Sequence, residues 1–491
     1  MNTNHKTCYQ AVKSRDARFD GRFFTGVTST GIFCRPVCPA ITPKEKNCRF
    51  FENAAAAMNA GFRPCLRCRP EVSPGSPAWN GISTTVNRAI RLINEGALDD
   101  ASVDDLAARL GIGERHLRRL FMDHVGVGPK AVAQTRRVLF AKKLVNETNL
   151  PLTEIAMASG FGSIRRFNST FQKLYGRPPR ELRRIAENEP VQGGSSLNLK
   201  LALRPPYDWD HLVGFFKTRA IPGVEDVSDG FYRRTIRIEN QIGHLEVSHD
   251  ATGPHLNVTI ALDDTSHLKS VIERTRRLFD IDADSEAINA HLSSDPVLQK
   301  SVKDRPGMRV PGAWDPFEIA VRAVLGQQVS VSAARTFAGR LVDAFGAPLK
   351  ECPSAALTHV FPTPKKLAKA DLQTIGLTTK RQETLRGLSQ AFATGKLDMD
   401  KAHSLEEIEP RLTALPGIGP WTAQYIAMRA FAEPDAFPTG DLGLLNAFKQ
   451  MGEDINIREL DRRAENWRPW RAYATMHLWA MLAPKTGKSK K

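Results

Sequence analysis

The sequence predicts a multidomain protein. A small cysteine-rich α/β domain comes first, then an all-α segment of two tandem helix-turn-helix units, then an α+β region in which an antiparallel sheet precedes helices. Three observations predict this. Six of the seven cysteines (Cys8, Cys34, Cys38, Cys48, Cys65 and Cys68) lie in the first 68 of 491 residues. A helical pattern then repeats at an offset of 49 to 50 residues. From Leu197 the pattern changes to alternating apolar and polar residues, LNLKLALRPP and YRRTIRIENQIGHLEVS, the period of a strand.

Composition places boundaries between these parts. Residues 1–72 form the first domain, and PEVSPGSPAWNG (70–81) reads as a linker. Residues 82–187 are helical in pattern and basic, and ENEPVQGGSS (187–196) is a second linker. Residues 197–270 form the sheet and residues 271–485 the helical remainder, before a charged tail, KTGKSKK. A hydrophobic content of 41% supplies cores for such domains. The net charge of +16 calls for a polyanionic partner, most simply nucleic acid. No run approaches the ~20 apolar residues of a membrane span, and MNTNHKTCYQ has no apolar signal core. The expected setting is the cytoplasm, where thiols stay reduced and disulfides are not the use of the cysteines.

In the first domain Cys34-x3-Cys38 and Cys65-x2-Cys68 are two close pairs, 26 residues apart. Four thiolates at such spacings can close a tetrahedral zinc site, a staple that so small a domain needs. Cys8 and Cys48 are near enough in sequence to leave other ligand sets open. A zinc-bound thiolate is also a nucleophile. Arg35, beside Cys34, is a candidate to hold a phosphate backbone against it, as are Lys44, Lys46, Arg49, Arg63, Arg67 and Arg69. By spacing alone a purely structural site is the more usual reading.

In the second domain VDDLAARLGIGERHL (103–117) matches LTEIAMASGFGSIRRF (152–167). Each copy reads helix, glycine turn, helix. Ser102 is a candidate N-cap, Leu106 and Leu110 form an apolar stripe, and Gly111 and Gly160 break the first helices. Arg115, Arg118 and Arg119 lie on one second helix, and Arg165 and Arg166 begin the other. Two such units suit successive major grooves of double-stranded DNA.

In the third region LPGIGPWTAQYIAMRA (415–430) places Gly417 and Gly419 around Ile418. Such glycines permit a tight hairpin whose helix start holds a phosphate, a helix-hairpin-helix. FPTGDLGL then brings Asp441 about 20 residues beyond. A fixed carboxylate stabilises the oxocarbenium charge of a sugar losing its base.

These stretches also carry family resemblances. FFTGVTSTGIFCRPVCPA and NAAAAMNAGFRPCLRCRP resemble the N-terminal domain of the bacterial Ada family. The resemblance implies that Cys34 accepts a methyl group from a DNA methylphosphotriester in a single turnover. It also implies that Cys34, Cys38, Cys65 and Cys68 hold one zinc ion. Loss of a thiolate charge would then raise DNA affinity. GFGSIRRFNSTFQKLYGRPPRELR is similar to the AraC-type DNA-binding domain, which implies transcription activation with RNA polymerase as a partner.

From Leu197 to about Pro484, RPPYDWDHLVGFFKTRAIPGVE, RLFD, VRAVLGQQVSVSAARTFAGRL and NWRPWRAYATMHLW resemble, in order, the AlkA family of 3-methyladenine-DNA glycosylases of type II. That resemblance implies a catalytic role for Asp441 and a base pocket of Trp421, Tyr425, Trp479 and Phe215, suited to cationic alkylated purines. Trp421 stands where lyase-active relatives have a lysine, which implies a monofunctional glycosylase. Gln328, in GQQVSV, takes the place of an apolar leucine as the intercalating wedge. The carbonyls of Thr413, Leu415 and Ile418 match a monovalent-cation site of relatives. No Pro-Cys-His-Arg motif is present, and the late Cys352 sits in ECPSA, so O6-alkylguanine transfer is not expected. The alternative function is a DNA-binding regulator with a catalytically idle glycosylase-like domain.

Overall fold

A computed structural model of the chain describes residues 4–73, 84–183, 196–250, 253–349, 354–397 and 405–482. Most of both expected linkers, Cys352 and the KTGKSKK tail lie outside the described residues. The chain forms two compact units, residues 1–204 with 238–273, and residues 205–237 with 274–491. Among the described residues no helix is long and apolar enough to cross a membrane.

The first unit opens with the helix His5–Ser14 and a four-stranded sheet. Phe24–Val27 lies between Cys48–Phe51 and Ile32–Cys34, antiparallel to both, and Ile32–Cys34 runs parallel to the short Arg63–Pro64. That parallel pairing brings the two cysteine pairs together, because Cys34 ends one strand and Cys65 follows the other. The Cys65 N–H donates to the Phe33 carbonyl at 3.0 Å. Phe24, Phe33, Ala57 and Phe62 form the small core between the sheet and the helix Ala54–Asn59. A core of this size adds about 1.5–3 kcal/mol per fully buried phenylalanine, which leaves so small a domain in need of a metal staple.

The repeat becomes two helix pairs, Val103–Arg109 with Glu114–Val125 and Leu152–Ala158 with Ile164–Tyr175. Ser102 caps the first through a reciprocal box with Asp105. Gly111 and Gly160 adopt φ of 70° and 77°, the left-handed turn that glycine makes without strain. The 19-residue helix Pro129–Glu147 joins the copies. It also holds the cysteine domain, since buried Lys142 pairs with buried Glu71 at 2.8 Å and Glu147 pairs with Arg69 at 2.9 Å. Strands Ser196–Ala202, His255–Ala261 and Gln241–Asp250 complete this unit as an antiparallel set with His255–Ala261 in the middle.

The second unit contains the antiparallel pair Glu225–Ser228 and Phe231–Ile238 and a helical bundle. The helix Pro316–Leu325 is buried along most of its length. Its Glu318 meets Arg234 at 2.6 Å, both buried, and half-buried Arg322 meets buried Glu225 at 2.8 Å. Several helices start on an acidic cap, with Asp208, Asp284, Asp295, Asp315 and Asp441 each accepting backbone N–H groups.

Candidate functional site

The sulfurs of Cys34, Cys38, Cys65 and Cys68 all lie within 4.8 Å of one another. Tetrahedral zinc with Zn–S bonds of about 2.3 Å separates its sulfurs by roughly 3.8 Å, so this cluster fits one metal ion. Four thiols this close cannot all ionise by themselves. Hydrogen bonding, with Cys38 foremost, pushes the Cys34 thiol up, whereas hydrogen bonding with Cys34 pulls Cys65 down. Backbone N–H groups of Arg35 and Arg67 donate to the sulfurs of Cys68 and Cys65 at 3.3 and 3.4 Å, which favours their thiolates.

The structure also settles the other two cysteines. Cys8 is 0% exposed in a cluster with Ala11, Val12 and Phe23, and Cys48 points its buried sulfur at the Lys44 carbonyl. Both are packing residues. Within the four, Cys65 and Cys68 are buried while Cys34 and Cys38 keep part of their surface.

Arg35, a sequence candidate for DNA contact, turns inward. Its guanidinium pairs with Asp20, at 2.8 Å from Nε, and donates to the Cys68 carbonyl at 3.1 Å. Both side chains are at most 15% exposed. Asp20 had no signal in the sequence beyond its charge. Arg49 and Arg67 of the same domain are exposed.

On the helix-turn-helix units the arginines face solvent opposite the core. Arg115, Arg118 and Arg119 are exposed, while Leu117, Phe121 and Val125 of the same helix are buried. Arg118 is tethered to Glu114 and Arg119 to His116. Arg165 and Arg166 are exposed at the start of their helix, which Ser163 caps.

In the second unit Asp441 is the N-cap of Leu442–Gln450. One carboxylate oxygen accepts the Leu444 N–H at 3.0 Å and the Trp479 indole N–H at 3.1 Å. The other accepts the Trp421 indole N–H at 2.8 Å. Trp421 stacks on Tyr425 with ring centres 5.3 Å apart and planes 9° apart, and Tyr425 meets Trp479 at 6.4 Å. Phe215 joins through cations: Arg219 lies 3.9 Å over its ring, and Arg429 lies 5.0 Å from Phe215 and 5.5 Å from Tyr425. Arg429 also donates to the Tyr425 hydroxyl at 2.6 Å. Burial alone would push this phenol up, but Arg429, Arg219 and Arg322 hold it below its ordinary range. The two arginines touching Phe215 escaped the sequence reading, although Arg429 stands four residues after Tyr425, the spacing of helical neighbours.

Gly417 adopts φ of 84°, and a Cβ there would lie 2.0 Å from Thr384 Oγ1, so both space and conformation require glycine. Gly419 has ordinary extended backbone and caps Pro420–Ala430, with Pro420 in its first turn. Of the carbonyls expected to bind a monovalent cation, that of Leu415 accepts the Ile418 N–H at 3.1 Å. Gln328 is exposed on the turn after Pro316–Leu325 and adopts φ of 54°.

Comparison with known proteins matches these parts one by one. Residues 7–71 match the metal-binding domain of Ada, residues 106–185 a helix-turn-helix domain, residues 198–315 the AlkA N-terminal domain, and residues 321–472 the HhH-GPD superfamily of base excision DNA repair proteins. The chain is 44% identical over 486 residues to a probable bifunctional transcriptional activator/DNA repair enzyme AlkA of Mycobacterium tuberculosis (strain ATCC 25618 / H37Rv), covering 98% of this chain and 97% of that one. It is 34% identical to DNA-3-methyladenine glycosylase 2 of Escherichia coli (strain K12), covering 56% of this chain and 94% of the relative. Among solved structures, a 3-methyladenine DNA-glycosylase from Archaeoglobus fulgidus superposes with a TM-score of 0.50 at 21% identity, over 57% of this chain and 97% of that one, a likeness of fold.

Proposed function

The chain belongs to the family of bifunctional transcriptional activator/DNA repair enzymes, and from that premise we propose that it senses methylated DNA, activates transcription and excises alkylated purines. The observation that carries the glycosylase half is the Asp441 carboxylate, fixed by two indole N–H groups at the edge of an aromatic cluster.

In this reading an extruded alkylpurine of the 3-methyladenine or 7-methylguanine type stacks on Trp421, Tyr425, Trp479 and Phe215. The C1′–N bond breaks with its electron pair going to the base. A cationic lesion thereby leaves neutral, without prior protonation. Asp441 stabilises the oxocarbenium charge, orients the water whose oxygen bonds to C1′ and accepts the proton which that water releases. Trp421 offers no amine for a Schiff base, so the enzyme is monofunctional. Gln328 fills the gap left by the extruded base, and the hairpin at Gly417 and Gly419 holds a phosphate.

The N-terminal half accepts methyl on Cys34. Its sulfur attacks the methyl carbon of a methylphosphotriester, an S–CH3 bond forms, the C–O bond breaks, and a phosphodiester anion leaves. Cys34, Cys38, Cys65 and Cys68 would hold a zinc ion, whose charge would keep these sulfurs ionised. Partial exposure of Cys34, shared with Cys38, leaves its sulfur within reach of a DNA backbone, while Cys65 and Cys68 are buried. The exposed Arg115, Arg118, Arg119, Arg165 and Arg166 read promoter DNA, and activation proceeds through RNA polymerase. Arg35 organises the zinc loop through Asp20 and Cys68 rather than reaching DNA.

Two measurements test this. Incubation with methylated duplex should release alkylpurine with the native chain and not with Asp441→Asn. Mass spectrometry of the same sample should show one methyl on Cys34. No released base would leave a regulator with an idle glycosylase fold, and an unmodified Cys34 would make the zinc purely structural.

A further inference from the structure

The turn carrying Gln328 is built from both sides by its neighbour, Gln327. The Gln327 side-chain amide donates to the Gly417 carbonyl at 2.9 Å and to the Thr422 hydroxyl at 3.1 Å. A carbonyl oxygen only accepts, so the NH2 end of the amide must face the hairpin. The Gln327 main-chain carbonyl in turn accepts from the Arg381 guanidinium, and its N–H donates to the Val324 carbonyl at 3.3 Å. Every polar group of this residue except the side-chain oxygen is thus engaged, on three different elements.

Arg381 belongs to the helix Thr379–Ala393, whose Thr384 lies one turn further on. Thr384 is the residue against which Gly417 packs so closely that no Cβ fits. One helix face therefore braces both the Gln328 turn and the hairpin turn, and Gln327 ties them directly. The next residue, Gln328, adopts φ of 54°, a left-handed conformation that a non-glycine residue reaches only at a steric cost. A surface turn holds that conformation only where its flanks are pinned. Ser330 pins the far side by capping Val331–Phe345.

We propose that Gln327 is a positioning residue that locks Gln328 into its left-handed conformation and joins it rigidly to the Gly417 hairpin, so that gap filling and phosphate holding act on DNA as one preformed unit. The inference rests on the reading of Gln328 as the gap filler. Preorganisation removes the ordering cost of the turn at the moment of binding. The hairpin turn is also held by the positive φ of Gly417 and its packing on Thr384, so it still meets a phosphate without Gln327, and the gain falls on a duplex that has a gap rather than on ordinary duplex.

The test uses the full chain and two duplexes of one sequence, undamaged or carrying a tetrahydrofuran abasic analogue with 2-aminopurine opposite. Gln327→Glu preserves shape but turns a carboxylate oxygen on the Gly417 carbonyl. Gln327→Met keeps the length without a donor, and serves if the first variant does not fold. Either variant is expected to bind the abasic duplex about tenfold more weakly, with a smaller 2-aminopurine signal, while affinity for undamaged duplex stays within twofold. Equal weakening on both duplexes would mean general damage and overturn the proposal. Gln328→Ala separates the two readings. If Gln328→Ala loses the abasic preference and the Gln327 variants keep it, the gap filler stands and the positioning role falls. If Gln328→Ala keeps the preference, both fall.

Discussion

The indole N–H of Trp421 donates to the Asp441 carboxylate at 2.8 Å, so a residue at the start of the hairpin helix orients the acid that caps the next one. Trp479 donates to the other oxygen at 3.1 Å. Replacing Trp421 by phenylalanine keeps an aromatic face and removes the donor. The expected result is a kcat roughly ten- to a hundredfold lower with KM little changed, since one hydrogen bond to a charged group is worth about 1.5–3 kcal/mol. Asp441→Asn should lower single-turnover base release by about a hundred- to a thousandfold, with DNA affinity retained in gel-shift measurements.

One zinc ion per chain is expected by metal analysis. Cys38→Ser should lower zinc occupancy and unfold the cysteine domain, because structural zinc contributes about 10–16 kcal/mol of apparent binding energy. Base release by the second unit should continue within about twofold, since its residues belong to the other compact unit.

Asp20→Asn leaves the Arg35 guanidinium inside the domain without its carboxylate. Breaking such a pair from one side costs about 3 kcal/mol. Chemical denaturation should show this loss in the zinc-loaded chain. Asp16→Asn, whose partner Arg18 is largely exposed, should change stability by less than about 1 kcal/mol.

The exposed arginines should separate into two kinds. One of Arg115, Arg118, Arg119, Arg165 and Arg166 that contacts phosphate should, if replaced by alanine, lower the slope of log K against log salt by about 0.9 and weaken all sequences alike. One that contacts a base edge should instead relax preference at one position by about 1–3 kcal/mol. Binding titrations at three salt concentrations on operator and scrambled duplexes read both. A slope unchanged by every arginine replacement would remove these helices from the interface.

Acid should loosen the second unit through His477. This residue is 0% exposed, its Nδ1 lies 2.9 Å from Ser301 Oγ, and its Nε2 has no hydrogen-bond partner among the described residues. Burial, then His211 and Arg305, push its pKa down to about 3. The unfolded chain takes up this proton near pH 6.5, the folded chain only near 3. Stability is therefore full above pH 6.5 and falls as pH drops toward 3, by up to roughly 5 kcal/mol. Urea midpoints at pH 7, 6 and 5 should decline in the native chain and decline less in His477→Gln.

Much of this was legible in the sequence because it rests on short spacings. The cysteine quartet, the repeated helix-turn-helix and the Gly417 hairpin are each defined within a few dozen residues, and local backbone rules identify them. Arg35 was not legible in the same way. Its charge next to Cys34 suggested phosphate, but a charge cannot show whether it faces water or a carboxylate. That was fixed by Asp20, brought near by the sheet. Cys8 and Cys48 were likewise undecided until packing placed one in an apolar cluster and turned the other's sulfur to a backbone carbonyl.

By itself, then, the sequence determined which reactive groups the protein carries and in what order, because thiol spacing, helical period and glycine turns are local properties of the chain. Only the tertiary structure decided which charges are neutralised inside and which remain for DNA. It alone set the indoles of Trp421 and Trp479 on Asp441, stacked Tyr425 on Trp421, brought Phe215 to the Arg429 beside Tyr425, and joined Gln327 to the Gly417 hairpin. The physical reason is that burial and Coulomb partners depend on distances through space, which residues far apart in the chain acquire only when the core closes.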